Sequence, residues 1–266
     1  MRLTPECCSV HTHSVLCDGK GTLAEMAAAA YAAGVRFFGA SGHSHTEIPH
    51  DAGNVLPTDP AEYREQVLRL REEYAGQMEV LLGIEQDSRS AQPVPDWADY
   101  WIGSVHNLYD PKTGKYHGID WDRERLIACR DQMFGGDMLA LTEGYYRDVA
   151  AMADRRPAIL GHIDLVTKLN RGNALFDEDD PRCRTAALEA LHHTDPDATL
   201  LGSTPAPSPG DTGTRPIRRC SFCGSGGAWE DRSSSPPTPT ARKRSCTATA
   251  RRRSWQERRV SGNVFC

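Results

Sequence analysis

The stretch Val10-His11-Thr12-His13 carries two imidazoles one residue apart, at the end of an apolar run that begins at Cys7. On a β-strand, residues i and i+2 project from the same face, so both rings can reach one cation from the end of a strand. Two ordinary surface histidines would give the same pattern. The downstream sequence favours the metal site, because four more apolar runs also end in a histidine or a glutamate.

The rest of the chain alternates between strand-like and helix-like segments. Thr22 and Glu25 stand at capping-box spacing, and Asp59-Pro60 offers an N-cap followed by proline at the first helical position. The sequence predicts helices over 23–33, 59–74, 137–153 and 181–192, and strands over 7–10, 37–40, 78–84, 100–105 and 157–160. This alternation favours parallel βα units, and hence either an α/β barrel or an open doubly wound sheet.

A ligand-type side chain follows each of the five predicted strands. In chain order these are His11 and His13, His43, Glu85, His106 and His162, and Asp18 can add a carboxylate from the loop after His13. In a βα barrel the C-terminal strand ends open onto one face, where side chains from different strands converge.

Each of these residues also has a structural interpretation when taken singly. Glu85 could form a salt bridge, His106 could be a hydrogen-bonded core histidine, and His162 could pair with Asp164 in a loop. Taken together, five strands that deliver such side chains to one mouth predict a metal site. The remaining histidines fall outside this register and are interpreted as surface residues: His45, His50, His117, His192 and His193.

Length and composition limit the protein class. The 266 residues, 39% of them hydrophobic, suit one α/β barrel or two smaller domains. No apolar run is long enough to span a membrane and no signal-peptide core is visible, so a cytoplasmic protein without a membrane partner is predicted. Nine cysteines at irregular spacing argue against a disulfide framework and for a reducing compartment.

Several of these segments together resemble a known family, the PHP (polymerase and histidinol phosphatase) domain, and within it the monofunctional histidinol-phosphatases of histidine biosynthesis. The likeness covers nearly all of residues 8–201. The segments that carry it are His11-Thr12-His13, Cys17-Asp18-Gly19, Ser41-Gly42-His43-Ser44, Gly83-Ile84-Glu85-Gln86-Asp87, Ile102-Gly103-Ser104-Val105-His106, Gly161-His162-Ile163-Asp164-Leu165 and Thr167-Lys168.

The resemblance implies a distorted (β/α)7 barrel that holds two or three divalent ions, usually zinc, manganese or iron. It implies that His11, His13 and Glu85 bind a first metal, and that Glu85 bridges to a second metal held by His106 and His162. His43 would serve a third metal with Asp18 nearby. Lys168 is a candidate phosphate contact, although an exposed lysine is more often only solvated. Imidazole and carboxylate ligands suit these cations.

The implied reaction is hydrolysis of L-histidinol phosphate to L-histidinol and phosphate, and we predict that this activity is impaired in the chain as written. A PHP-fold phosphoesterase that acts on nucleotides or another small phosphate ester is the alternative within the same fold. From another class, the chain could be a non-catalytic degenerate barrel or a nucleic-acid-binding protein that uses its basic tail, and this interpretation is not favoured. The oligomeric state is not indicated.

The segment 202–266 has a different composition from the rest of the chain. It carries twelve Lys/Arg against four Asp/Glu, whereas residues 1–201 carry nineteen against thirty-two. Proline and serine clusters and the runs Arg242-Lys243-Arg244 and Arg251-Arg252-Arg253 are typical of disordered or nucleic-acid-binding segments.

A change of reading frame explains this boundary better. Regrouping the bases of codons 202–213 by two positions is compatible with a family-like Asn-Thr-Gly run, and the same frame permits Asp-Ala-His at codons 237–240. Each acidic or histidine position in this frame could equally be tyrosine or asparagine, but two family-like segments in one frame favour the frame change. We therefore predict a PHP-type barrel over 1–201, incomplete at its C-terminal end, and an aberrant, poorly ordered tail over 202–266.

Overall fold

The computed structural model describes residues 8–46, 48 and 59–204. Its eight strands are β1 (Cys8–Thr12), β2 (Phe37–His43), β3 (Glu79–Asp87), β4 (Tyr100–Ser104), β5 (Asn107–Asp110), β6 (Lys115–Gly118), β7 (Ile159–Leu160) and β8 (Leu200–Leu201). Its five α-helices are α1 (Leu23–Ala32), α2 (Pro60–Glu73), α3 (Arg123–Phe134), α4 (Met138–Asp154) and α5 (Pro181–His192). None of these helices has the length and apolar character needed to cross a bilayer.

The main sheet has six strands in the order β1-β2-β3-β4-β7-β8, and every neighbouring pair is parallel. Each successive strand is added on the same side, so the sheet has no point at which the strand order reverses. A doubly wound sheet requires such a reversal, whereas a barrel does not. The sheet curls into part of a βα barrel, and β1 and β8 are its two edges within the described residues.

The four predicted helices are present within one residue of their predicted bounds. The capping box of Thr22 and Glu25 is formed, and Asp59 accepts hydrogen bonds from the backbone of Ala61 and Glu62. Helix α3 and the antiparallel hairpin β5–β6, which lie between β4 and α4, were not predicted. The hairpin begins directly after His106, so it stands beside the C-terminal ends of the parallel strands.

Apolar side chains pack on both faces of the sheet. Helices α1 and α2 cover β2 and β3 through a cluster that includes Phe38, Tyr63 and Val67. Helices α3, α4 and α5 form a second cluster around Leu141 and Tyr145. A third apolar cluster fills the inner face of the curled sheet, so the central strands are buried on both faces, as is usual for parallel sheets.

Tyr100 fills the interior of the curled sheet. Its hydroxyl donates to the Val10 carbonyl at 2.6 Å and lies 3.2 Å from the Ala40 carbonyl. A Cβ at Gly39 or Gly83 would overlap the Tyr100 phenol, so these two positions need glycine for close approach. The phenol therefore connects β4 to β1 and β2 across the inner face of the sheet.

We expect Tyr100→Phe to lower the free energy of unfolding by about 1–3 kcal/mol, because the buried Val10 carbonyl loses a donor. Chemical denaturation of the full chain measures the change. Tyr109→Phe is the matched control, since the Tyr109 side chain is 40% exposed. Equal stability of Tyr100→Phe and the wild type would show that the inner hydrogen bond contributes nothing.

Candidate metal centre

Glu85 lies at the centre of a cluster of five histidines. The side chain is 1% exposed, and each of its carboxylate oxygens faces imidazole nitrogens. Oε1 lies 3.0 Å from His162 Nε2, 3.2 Å from His11 Nε2 and 3.5 Å from His106 Nε2, whereas Oε2 lies 3.1 Å from His43 Nδ1 and 3.2 Å from His13 Nε2. The structure thus brings together all six of these predicted site residues.

Strand register explains this convergence. His43 is the last residue of β2 and is in register with Glu85 near the end of β3. His106 follows β4 by two residues, and His162 follows β7 by two residues. Since all four strands are parallel, their C-terminal ends meet at one mouth of the sheet, where the loops carry ligand-type groups.

Asp18 extends the cluster on one side. Its Oδ1 lies 3.2 Å from His13 Nδ1 and 3.3 Å from His43 Nε2. Two groups of potential ligand atoms result, and within each group the atoms lie within 4.8 Å of one another: His11, Glu85 and His162, and His13, Asp18 and His43. The resemblance implies that His11 and His13 share one metal, but here the two rings face different oxygens of Glu85.

The charges in the cluster are strongly coupled. Burial alone would raise the pKa of Glu85, but the positive charges of His11, His43 and His106 hold that pKa well below its usual range. Burial alone would likewise lower the pKa of His106, but Glu85 and Asp87 raise it well above 6.5. Burial lowers the pKa of His162. The cluster therefore keeps Glu85 ionised by holding positive charge around it.

Unpaired polar atoms indicate that the residues fit a divalent cation. Glu85 Oε2 is buried and accepts no hydrogen bond, although two histidine nitrogens lie within ion-pair distance, because their directions do not match hydrogen-bond geometry. His162 Nδ1 is also buried without a hydrogen-bond partner. Buried polar atoms are normally paired, so a buried carboxylate oxygen and a buried imidazole nitrogen without hydrogen-bond partners suit a bound cation.

Lys168, the predicted phosphate contact, lies outside this cluster. Its Nζ donates to Asp120 at 2.7 Å, and its side chain is 44% exposed. Within the part of the chain that the structure describes, no hydrogen bond or ion pair joins Lys168 to the cluster. The ammonium therefore already has a carboxylate partner.

The remaining histidines stay outside the cluster, as expected. His45, His192 and His193 are exposed, and His193 Nδ1 lies 2.9 Å from Asp154. The prediction was wrong for His117, which is half-buried on β6 with a buried Nε2, because the hairpin packs that strand against α3. His50 and the tail 205–266, with the frame change predicted for it, lie outside the described residues.

Two polar residues contact the cluster without having been predicted as part of it. Ser104 is fully buried and donates through Oγ to Glu85 Oε1 at 2.6 Å. Asp87 Oδ2 lies 2.9 Å from His106 Nδ1. The alternation of a strand could have indicated both, since each stands two residues from a cluster residue and thus on the same face.

The fold and the cluster together define a βα-barrel protein with a histidine-rich candidate metal centre at the C-terminal strand ends. The chain belongs to the PHP domain family, whose pattern matches residues 8–201. This match confirms the resemblance and accounts for the curled parallel sheet.

Comparison with individual proteins agrees with this family. The chain is 32% identical over 174 residues to the protein named "Probable histidinol-phosphatase" of Deinococcus radiodurans, an alignment that covers 60% of this chain. The chain spans about 62% of the length of that relative.

Two solved structures share the fold. A protein assigned as the histidinol phosphatase HisK of Listeria monocytogenes superposes with a TM-score of 0.56 at 18% identity, over 73% of this chain and 81% of that one. The histidinol phosphate phosphatase HisK of Lactococcus lactis, solved with zinc, L-histidinol and phosphate, gives a TM-score of 0.52 at 15% identity, over 74% of this chain and 72% of that one. At these identities the likeness establishes the fold.

Proposed function

We propose that this chain is a metal-dependent phosphomonoesterase that hydrolyses L-histidinol phosphate to L-histidinol and phosphate. The observation that carries the proposal is the convergence of five imidazoles on one buried carboxylate at the C-terminal ends of parallel strands. The identity of the substrate is inferred from the histidinol-phosphatase relatives. The cluster itself does not distinguish one phosphate monoester from another.

The cofactors that we propose are two or three divalent ions, drawn from zinc, manganese and iron. The residues that would hold them are His11, His13, Asp18, His43, Glu85, His106 and His162. Held there, such ions would supply Lewis acidity, which makes water a nucleophile at neutral pH and offsets the negative charge of a phosphate ester. Zinc in the Lactococcus lactis structure supports this choice of cation.

Glu85 has the central part in this proposal. One of its oxygens faces His11, His106 and His162, and the other faces His13 and His43. A single carboxylate therefore reaches both ligand groups and sets the distance between them. Ser104 donates to Oε1 and so restricts rotation of that carboxylate.

Lys168 is proposed as a contact for the phosphate group. Its support is its position in the loop that begins at His162, after β7. Lys168 Nζ lies 2.7 Å from Asp120 Oδ2, so in the proposed complex the ammonium would contact both the Asp120 carboxylate and the phosphate group. The proposed binding partner is therefore a small phosphate ester, whose phosphate group contacts Lys168.

A substrate panel tests the proposed activity. We expect phosphate release from L-histidinol phosphate with a kcat/KM roughly 10–100-fold above that for nucleoside monophosphates and p-nitrophenyl phosphate, because a site shaped for one leaving group discriminates by contacts with it. The panel is run on the chain as written and on a form with the reading frame restored after codon 201. Turnover of nucleotides without turnover of L-histidinol phosphate would contradict the narrower proposal and favour a general PHP-fold phosphoesterase.

A further inference from the structure

Asp87 contributes no atom to either ligand group, yet it contacts a histidine that faces the shared carboxylate. Its Oδ2 lies 2.9 Å from His106 Nδ1, while Nε2 of the same ring faces Glu85 Oε1 at 3.5 Å. Asp87 is 5% exposed, so this contact is shielded from water. We propose that Asp87 is a positioning residue, which holds the proton of His106 on Nδ1 and leaves Nε2 as the ligand atom for a divalent cation.

The chemistry of the two groups supports this assignment. An ionised carboxylate can only accept hydrogen bonds, so the nitrogen that faces Asp87 must carry a proton. A neutral imidazole has one N–H and one lone pair, and the hydrogen bond at one nitrogen decides which nitrogen is free to bind a metal. His106 Nε2, which faces Glu85 Oε1, is then the nitrogen that can bind a divalent cation in place of a proton. The inference rests on the proposed function, because it includes His106 in the metal centre.

Asp87 is itself held in place by its neighbours. The backbone N–H of Arg89 donates to Asp87 Oδ1 at 2.6 Å, and the backbone N–H of Asp87 donates to Ser44 Oγ at 3.1 Å. The Arg89 guanidinium forms an ion pair with Asp148 on α4 and donates through Nε to the Asn107 carbonyl at 3.2 Å. Each carboxylate oxygen of Asp87 thus has its own donor, which prevents the carboxylate from rotating away from His106.

Because each oxygen of the Asp87 carboxylate accepts a hydrogen bond, Asp87→Asn tests the proposed role directly. Both partners of Asp87 are donors, and an amide offers only one acceptor oxygen. If that oxygen accepts from Arg89, the amide NH₂ faces His106 Nδ1 and favours the proton on Nε2, the atom needed for the metal. If it accepts from His106, the Arg89 hydrogen bond is lost and the side chain is held less firmly.

The experiment measures the affinity of the full-length chain for Zn²⁺ by competition with a chromophoric chelator. We expect roughly 10–100-fold weaker zinc binding in Asp87→Asn, the range typical of residues that orient metal-binding histidines. Asp110→Asn is the matched control, because Asp110 is also 5% exposed and its carboxylate accepts from Lys112 and Thr113. Unchanged zinc affinity in Asp87→Asn, or an equal loss in both variants, would overturn the proposal.

Nitrogen NMR of the zinc-loaded wild type provides a readout that does not depend on whether a variant folds. We expect a proton on His106 Nδ1 and zinc on Nε2, and the reverse arrangement would overturn the proposal.

The proposed function and the proposed role of Asp87 can be contradicted independently of each other. Zinc binding that weakens in Asp87→Asn, without hydrolysis of any phosphate ester by the wild type, contradicts only the proposed function. Hydrolysis with unchanged zinc affinity in the variant contradicts only the role of Asp87.

Discussion

Glu85→Ala is expected to remove most of the divalent metal from the protein and to lower its phosphatase activity by more than the roughly 10–100-fold that is typical of residues that only orient metal ligands, because both metal positions depend on Glu85. The reason is geometric, because both oxygens of Glu85 face histidines from different strands. Elemental analysis of the purified chain measures the metal, and phosphate release measures the activity.

His45→Ala serves as the control for this variant. His45 lies two residues after His43, which is the last residue of β2. Its side chain is exposed and lies outside the cluster. We expect it to retain the metal content of the wild type. Glu85→Gln, which keeps the shape of the side chain but removes its charge, should resemble Glu85→Ala. Equal metal content in Glu85→Ala and His45→Ala would contradict the assignment of Glu85.

Restoring the reading frame after codon 201 is expected to raise both the stability and the activity of the protein. Within the described residues the sheet ends at β8, which has two residues, and the tail as written is too rich in proline, serine and arginine to predict further strands. Additional strands would bury apolar surface at roughly 25 cal/mol per Å², so a few hundred Å² would contribute several kcal/mol. That gain is comparable with a typical domain stability of about 5–15 kcal/mol.

The comparison uses thermal unfolding and phosphate release by the two forms at equal metal concentration. The frame-restored form should also gain activity, because the shifted frame permits Asp-Ala-His at codons 237–240, and the family resemblance implies that such a stretch adds ligands to the metal centre. Equal activity, together with one cooperative transition at a similar temperature in both forms, would show that residues 202–266 as written belong to the fold. Sequencing the gene around codons 201 and 202 provides an independent check.

The convergence of the histidines on Glu85 was predictable, because it depends on which residues stand near the C-terminal ends of parallel strands. His11, His43 and His106 each stand at or just after the end of a strand, and parallel strands bring such positions to one mouth. The choice between a barrel and a doubly wound sheet was not predictable from the alternation of elements, because both have it. The order of the strands decided it.

Other features depend on contacts that sequence spacing does not determine. Which oxygen of Glu85 faces which histidine is set by side-chain rotamers and packing across five strands. The partner of Lys168 is Asp120, which lies 48 residues away in the chain. Helix α3, in contrast, could have been predicted, since Asp122 caps its start and Gly135 ends it at φ 60°.

The most direct test of a metal-dependent phosphatase is the response of phosphate release to removal and return of the cation. The protein is stripped with a chelator, dialysed, and assayed with L-histidinol phosphate as Zn²⁺ or Mn²⁺ is added back. We predict that the stripped protein releases no phosphate above background, that added cation restores release, and that Glu85→Ala shows no restoration. Phosphate release that persists in the stripped protein, or that Glu85→Ala recovers to the wild-type level, would contradict the proposed metal centre.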